Sequence, residues 1–282
     1  MTTYILTFRC GDERGIVNAV TSALLEVGAN ILEQAQFTDP DLELFCMRTR
    51  FEVLNPARSE ITDALSRHCA HFAPEWSLRD ESHHRRAVLM VSKFDHCLVD
   101  LLYRRAQGEL PIEIPVIVSN HPDLAPLAAA HGIRFEHIPV TPESKPESEA
   151  RTLALMEECD ADVIILARYM QVLSDDFCSR LPGRIINIHH SFLPGFKGAR
   201  PYHQAHQRGV KIIGATAHFV TADLDEGPII EQDVERVSHA RSADSLVEVG
   251  RDVERRVLSR AVRLYSEDRI LLTGTRTVVF ST

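Results

Sequence analysis

Asn187 and His189 close the apolar run Arg184-Ile185-Ile186-Asn187-Ile188-His189, which has Pro182-Gly183 before it and Pro194-Gly195 soon after. A short apolar run bounded in this way predicts a buried strand. Residues two apart on a strand point to the same side, so the strand's end presents an amide and an imidazole together. That pair suits the oxygen of a polarised carbonyl. A second predicted strand, residues 211–220, leads into Thr221-Ala222-Asp223-Leu224-Asp225-Glu226-Gly227-Pro228, whose Asp, Gly and Pro content marks a turn. Asp225 is expected to project from this turn, in a position suited to pairing with His189 and binding a water. Amide, imidazole and carboxylate are the groups that acyl transfer needs when no Ser or Cys acts as nucleophile.

Four motifs follow one another here: Asn187-Ile188-His189, Ser191-Phe192-Leu193-Pro194 with Gly198, Gly214-Ala215-Thr216-Ala217-His218-Phe219, and Asp225-Glu226-Gly227-Pro228. Together they resemble the folate-dependent formyltransferase family, whose members move or release the formyl group of 10-formyltetrahydrofolate. The stretch is most similar to the members that pass this group to water. The resemblance implies hydrolysis to formate and tetrahydrofolate, which balances one-carbon pools and supplies formate for purine synthesis. Asn187, His189 and Asp225 carry over as the catalytic residues. Met170, Val172 and Leu173 offer an apolar wall for a pterin ring, with Gln171 of the same loop a further candidate contact, and the resemblance implies that the backbone of Ala222, Asp223 and Leu224 joins them in the folate pocket. The folate is then a substrate, and neither a cofactor nor a metal is expected. The alternative is formyl transfer to an amine. Members that formylate glycinamide ribonucleotide carry a glycine-rich turn after the first strand of this domain, which lets backbone N–H groups approach the phosphate. This chain has Ser92-Lys93-Phe94-Asp95-His96-Cys97 there, without glycine, which disfavours a phosphorylated acceptor. A third reading is an amino-acid sensor whose catalytic half is inactive and only binds folate, which the intact catalytic set opposes.

The elements that must position these groups form two domains joined by a linker. Residues 1–80 read strand, helix, strand, strand, helix, strand, with Ile16, Val20, Leu24 and Val27 at helical spacing and Gly28 as a C-cap. The order βαββαβ is that of a ferredoxin-like unit. Asp12-Glu13-Arg14-Gly15-Ile16-Val17 and Gly28-Ala29-Asn30-Ile31 resemble the small ACT regulatory domain. That resemblance implies an amino-acid effector near Asp12, Gly15 and Asn30, and edge-to-edge pairing into a homo-oligomer. Exposed sheet edges make such pairing easy. Residues 81–86, in a polar stretch, read as a linker.

From 87 to 282, strands alternate with helices, which implies an α/β fold with a Rossmann-like, mostly parallel sheet of the formyltransferase type. Binding is expected at the carboxyl ends of the strands. Loops 92–97, 168–173 and 189 onward meet there, and Lys93 and Lys197 are candidate contacts for an anionic folate tail.

Composition narrows the class. An apolar content of 44% with 25% charged residues fits a globular protein. A net charge of −9 opposes binding to nucleic acid. No apolar run has bilayer length, and the start has no signal-peptide pattern, so a cytoplasmic protein without a membrane partner is expected. The six cysteines form no CxxC pair and read as reduced, packed thiols.

Overall fold

The computed structural model describes residues 1–54, 57–193 and 201–281. Pro56, which by sequence suits the first turn of a helix, Pro194 and Gly198 of the site motifs, and the candidate contact Lys197 lie outside the described residues. The chain divides into two compact units.

The first unit contains β1 (Thr2–Gly11), α1 (Ile16–Glu26), β2 (Asn30–Asp39), β3 (Leu44–Val53), α2 (Arg58–Cys69), a 3₁₀ turn at Ala70–Phe72 and β4 (Glu75–Asp80). The strands form an antiparallel sheet in the order β2-β3-β1-β4. Alternation along β1 puts Tyr4, Leu6, Phe8 and Cys10 on one face, against Ile16, Val20 and Leu24 of α1 and Ile61 and Leu65 of α2. Helix α1 ends in a Schellman pattern: Gly28 takes φ +71°, its N–H reaches the Leu25 carbonyl, and the Ala29 N–H reaches that of Leu24. Between β2 and β3, Asp39 Oδ1 accepts from the N–H groups of Asp41 (2.9 Å) and Leu42 (3.2 Å), as Asp side chains do in turns.

Strand β3 is buried on both faces, and this corrects one expected boundary. The sequence assigns everything after residue 86 to the second domain. In the structure Asp268–Thr273 and the chain from Val278 group with the first unit. Cys46, on the face of β3 away from the helices, packs with Leu271 and Phe280. Arg79 binds Asp268 at 2.6 Å, and Arg269 binds Glu33 at 2.9 Å. The second apolar face of β3 is thus covered by residues distant in sequence.

The second unit, Arg85–Glu267 with Gly274–Thr277, contains β5 (Arg85–Val91), α3 (His96–Ala106), β6 (Ile112–Ser119), α4 (Ala125–Ala130), β7 (Arg134–His137), α5 (Lys145–Glu158), β8 (Val163–Leu166) and α6 (Asp175–Arg180). It continues with β9 (Ile185–His189), α7 (Pro201–Gln207), β10 (Ile212–Phe219), β11 (Ile229–Arg236) and α8 (Ala243–Ser266). The chain closes with β12 (Ile270–Thr273) and β13 (Arg276–Val279), a two-stranded ribbon turned at Gly274, φ +71°.

The large sheet has the order β11-β10-β9-β8-β5-β6-β7. Strands β9, β8, β5, β6 and β7 run parallel, while β10 and β11 are antiparallel additions at one edge. This is an α/β fold with a mixed, mostly parallel sheet. Strands β5 and β8 have no residue more than 4% exposed from Ala87 to Val91 and from Val163 to Leu166, as expected for strands covered on both sides. From β5 the chain first builds outward through β6 and β7, then returns to add β8 and β9 on the other side. The order reverses between β5 and β8, and ligands of open α/β sheets bind at that point.

Candidate active site

Asn187 and His189 occupy the last turn of the pleat on β9, and the antiparallel register sets His218 opposite Asn187 and Thr216 opposite His189. His218 is 2% exposed, and its Nδ1–H donates to the Phe219 carbonyl at 2.9 Å. Its Nε2 therefore carries a lone pair and accepts from the Asn187 amide, 3.3 Å away. Burial holds His218 below the ordinary imidazole range despite that carbonyl bond, so the ring is neutral at neutral pH. The Asn187 amide is oriented by this bond, with its NH₂ toward His218.

Asp225 reaches the same point from the loop after β10. Its backbone is in the left-handed region, φ +58°, which is uncommon for a side-chain-bearing residue. Two residues on, Gly227 lies so close to the Phe219 carbonyl that a Cβ would overlap it, so this turn closes only on glycine. Asp225 Oδ1 is 3.1 Å from His189 Nδ1 and 3.7 Å from His218 Nε2. Burial pushes the Asp225 carboxyl up, but the His189 hydrogen bond and the surrounding histidines more than offset this, and the group lies below the usual carboxylate range. It is a carboxylate at neutral pH. His189 Nε2 is buried and has no hydrogen-bond partner among the described residues, which leaves it for a ligand.

These groups line a cleft of about 630 Å³. On one flank are Met170, Val172, Leu173, Val220 and Leu224. Met170, Val172 and Leu224 are 51%, 59% and 62% exposed, so this wall offers apolar surface to a flat ligand. Gln171 and Ala222 also line the cleft, whereas Lys93 and Asp223 do not. Ser92, the residue after β5, holds the wall in place: its hydroxyl donates to Asn120 Oδ1 at 2.7 Å and accepts from the Met170 N–H at 2.9 Å.

The other flank is polar and was not foreseen as a unit. It contains His96, Arg168, His190, Tyr202 and Glu254. Glu254 is 1% exposed. Burial raises its carboxyl, but the His96 hydrogen bond and the Arg168 charge outweigh that and hold it below its ordinary range. His190 stacks on His189 with ring centroids 5.1 Å apart, and burial with the nearby Arg168 pushes it down to about 4. His96, Cys97 and Glu254 bring three potential metal-ligand atoms within 4.8 Å of one another. This trio is a poor cation site. Burial pushes the Cys97 thiol well above its usual range, aided by the Glu254 charge, and Arg168 Nε already stands 3.4 Å from Glu254.

In the first unit, Gly15 is the N-cap of α1 with φ +102°. Asp12 accepts from Thr38 at 3.4 Å, and Asn30 donates to Glu52 at 3.0 Å. The two polar side chains are thus engaged with different neighbours.

The residues missed in the sequence had only faint signals. His218 lies inside a quoted motif but reads as a core residue of a buried strand. Arg168 takes φ +68°, which no local pattern announces. Glu254 falls in a long helix rich in charge, which reads as solvated.

Comparison with known proteins identifies the family. A family model described as Formyl transferase matches residues 85–262. A protein named formyltetrahydrofolate deformylase from Corynebacterium sp. (strain P-1) is 47% identical over 282 residues, covering 98% of this chain and 97% of that relative. The crystal structure of formyltetrahydrofolate deformylase from Burkholderia mallei ATCC 23344 superposes with a TM-score of 0.96 at 49% identity, covering 100% of both chains. Glycinamide ribonucleotide transformylase 1 from Symbiobacterium toebii is more distant, with a TM-score of 0.65 at 30% identity over 70% of this chain and 94% of its own. A family match across nearly all of the second unit, together with end-to-end similarity that includes the first, means that this chain belongs to the formyltetrahydrofolate deformylase family.

Proposed function

We propose that this protein hydrolyses 10-formyltetrahydrofolate to formate and tetrahydrofolate. The observation that carries the reading is the His189–Asp225 pair, 3.1 Å apart, with the His189 Nε2 unengaged beside an amide whose orientation is set by His218. The names of relatives with close to half the sequence in common supply the substrate.

The pterin lies on the Met170–Val172–Leu224 wall, and the formyl carbonyl lies against Asn187 and His189. Asp225 holds a water through its second oxygen and takes a proton as the water attacks the formyl carbon. The oxyanion is stabilised by the Asn187 amide and His189. Because Nδ1–H of His189 donates to Asp225, Nε2 donates only when the ring is protonated. The imidazolium then gives its proton to N10 as the C–N10 bond breaks. The chemistry is complete without a metal or a resident cofactor. Transfer to an amine is not favoured, since the relatives with end-to-end similarity carry the deformylase name.

The first unit serves as an ACT-type regulatory module in this reading, with an amino-acid effector near Asp12, Gly15 and Asn30 and self-association through the exposed edge of β2. Its support is the βαββαβ order and the Asp12–Val17 motif. A cytoplasmic setting fits thiols of Cys10, Cys46 and Cys69 that burial pushes up to about 11, which keeps them protonated. No described helix is long and apolar enough to cross a membrane.

The test is to incubate the purified chain with 10-formyltetrahydrofolate and no acceptor. Formate and tetrahydrofolate form in equal amounts, and Asp225→Asn lowers turnover by roughly 10²-fold or more. No formate from the unaltered protein rejects hydrolysis; undiminished release by Asp225→Asn removes that carboxylate from water activation.

A further inference from the structure

The hydrolytic scheme uses Asn187, His189 and Asp225 and leaves the polar flank of the cleft without a task. That flank is built around a buried carboxylate. Glu254 Oε2 accepts from His96 Nε2 at 2.8 Å, with Arg168 Nε 3.4 Å away, and Glu254 Oε1 accepts from the Tyr202 hydroxyl at 2.7 Å. These partners come from α3, the loop after β8, and α7. A carboxylate in the interior costs several kcal/mol unless it is paired and hydrogen-bonded, so this grouping is specified by the fold. Two backbone features support it. Arg168 keeps a left-handed conformation while its side chain is 10% exposed. Gly250, one helical turn before Glu254, has no side chain where a Cβ would run into the Tyr202 ring, so α8 is shaped to seat that ring.

The cluster reaches the reacting groups by direct ring contact. Tyr202 lies 6.3 Å from His190 between centroids, and His190 lies 5.1 Å from His189. With the folate ring on the apolar wall, the polar flank is where a nucleophile other than a small one would have to stand. A water needs little room. An amine, even one as small as glycinamide, is larger than water and needs space that Tyr202, His96 and Glu254 occupy.

We infer that Glu254, clamped by His96, Tyr202 and Arg168, determines specificity by filling the polar side of the cleft, reserving the formyl group for water and excluding amine acceptors. The inference rests on the hydrolytic reading. The excluded reaction is defined by its balance: an amine nitrogen attacks the formyl carbon, the C–N10 bond breaks, one amine proton ends on N10, and a formamide leaves with tetrahydrofolate.

The experiment supplies 10-formyltetrahydrofolate and glycinamide, a small primary amine, and measures N-formylglycinamide and formate by mass spectrometry. The full-length protein is compared with Tyr202→Ala, His96→Ala and Tyr202→Phe, each checked for folding by circular dichroism. The unaltered protein yields formate. Tyr202→Ala and His96→Ala raise the ratio of formamide to formate by at least about tenfold, which corresponds to about 1.4 kcal/mol of lost discrimination. Tyr202→Phe keeps the ring and stays near the unaltered ratio. An unchanged ratio in whichever alanine variants are folded overturns the inference. Failure of the underlying reading looks different: the unaltered protein would release no formate from the folate alone.

Discussion

His218 decides which way the Asn187 amide faces. Its Nδ1–H is committed to the Phe219 carbonyl, so Nε2 offers only a lone pair. Turning the amide over would set the Asn187 oxygen against that lone pair, and a buried repulsion of this kind replaces a hydrogen bond with an unsatisfied acceptor. His218→Phe removes the acceptor and frees the amide to rotate. The loss of one buried hydrogen bond, about 1–3 kcal/mol, predicts a fall in kcat of roughly tenfold to a hundredfold. KM for the folate stays nearly constant, because the apolar wall is untouched. His218→Gln, whose side-chain oxygen also accepts, recovers part of the activity. Steady-state kinetics of the two variants settle this: equal losses in both, or a loss confined to KM, would show that His218 acts only as packing. Asn187, His189 and Asp225 were legible in the sequence because strand alternation and turn composition fix where such residues project. His218 and Glu254 were not. Their roles depend on cross-strand register and on a helix crossing a cleft, which no local window contains.

At the scale of elements, the turn joining β10 to β11 carries the carboxylate, and its geometry rests on Gly227. A Cβ there meets the Phe219 carbonyl, a backbone atom that cannot move without breaking β10, where the Phe219 N–H bonds the Pro228 carbonyl at 2.9 Å. Gly227→Ala therefore pushes the turn outward rather than adding harmless bulk. We expect a stability loss on the order of 1–3 kcal/mol, as for other overpacked sites. We also expect a drop in kcat well beyond what the loss of folded protein accounts for, since Asp225 moves with the turn. Thermal unfolding and kinetics of this variant at one temperature test both parts; unaltered turnover in a stable variant would contradict the close approach. The same scale shows what the sequence concealed. The long runs were readable: β5, β8 and β9 as apolar stretches, and α8 from its stripe of Leu246, Val249, Val253 and Val257, of which Val249 is only partly buried. Helix α6 is six residues long and α7 seven, too short for helical periodicity to declare itself. The C-terminal ribbon reads as strand, but only the apolar face of β3 reveals which unit it covers.

For the whole molecule, the response to acid separates interior from surface. The chain carries a net charge of −9, and lowering the pH makes it less negative, which relieves self-repulsion and by itself favours the folded state. The interior acts the other way. His190 is held down to about 4 from its ordinary 6.5 by burial and Arg168, and burial also lowers His218. In both cases the unfolded chain binds a proton more readily than the folded one, so stability falls as pH drops below about 6.5 and continues to fall toward the folded value. Glu254 and Asp225 do not contribute in that window. Their carboxyls lie below the ordinary values of 4.5 and 3.8, so their share of stability is lost only as the pH falls through that lower range. The window between about 6.5 and 4.5 therefore belongs to the histidines beside the cleft. His190 alone accounts for about 1.4 kcal/mol per pH unit there, or about 2 kcal/mol by about pH 5. His190→Asn, which keeps a hydrogen-bonding side chain without the titration, should lose correspondingly less stability between about pH 7.5 and 5 in urea unfolding midpoints. An equal loss in the two proteins would place the acid-sensitive group elsewhere. A smaller loss in the variant would show that the burial keeping a neutral ring stacked on His189 also sets the acid limit of the fold.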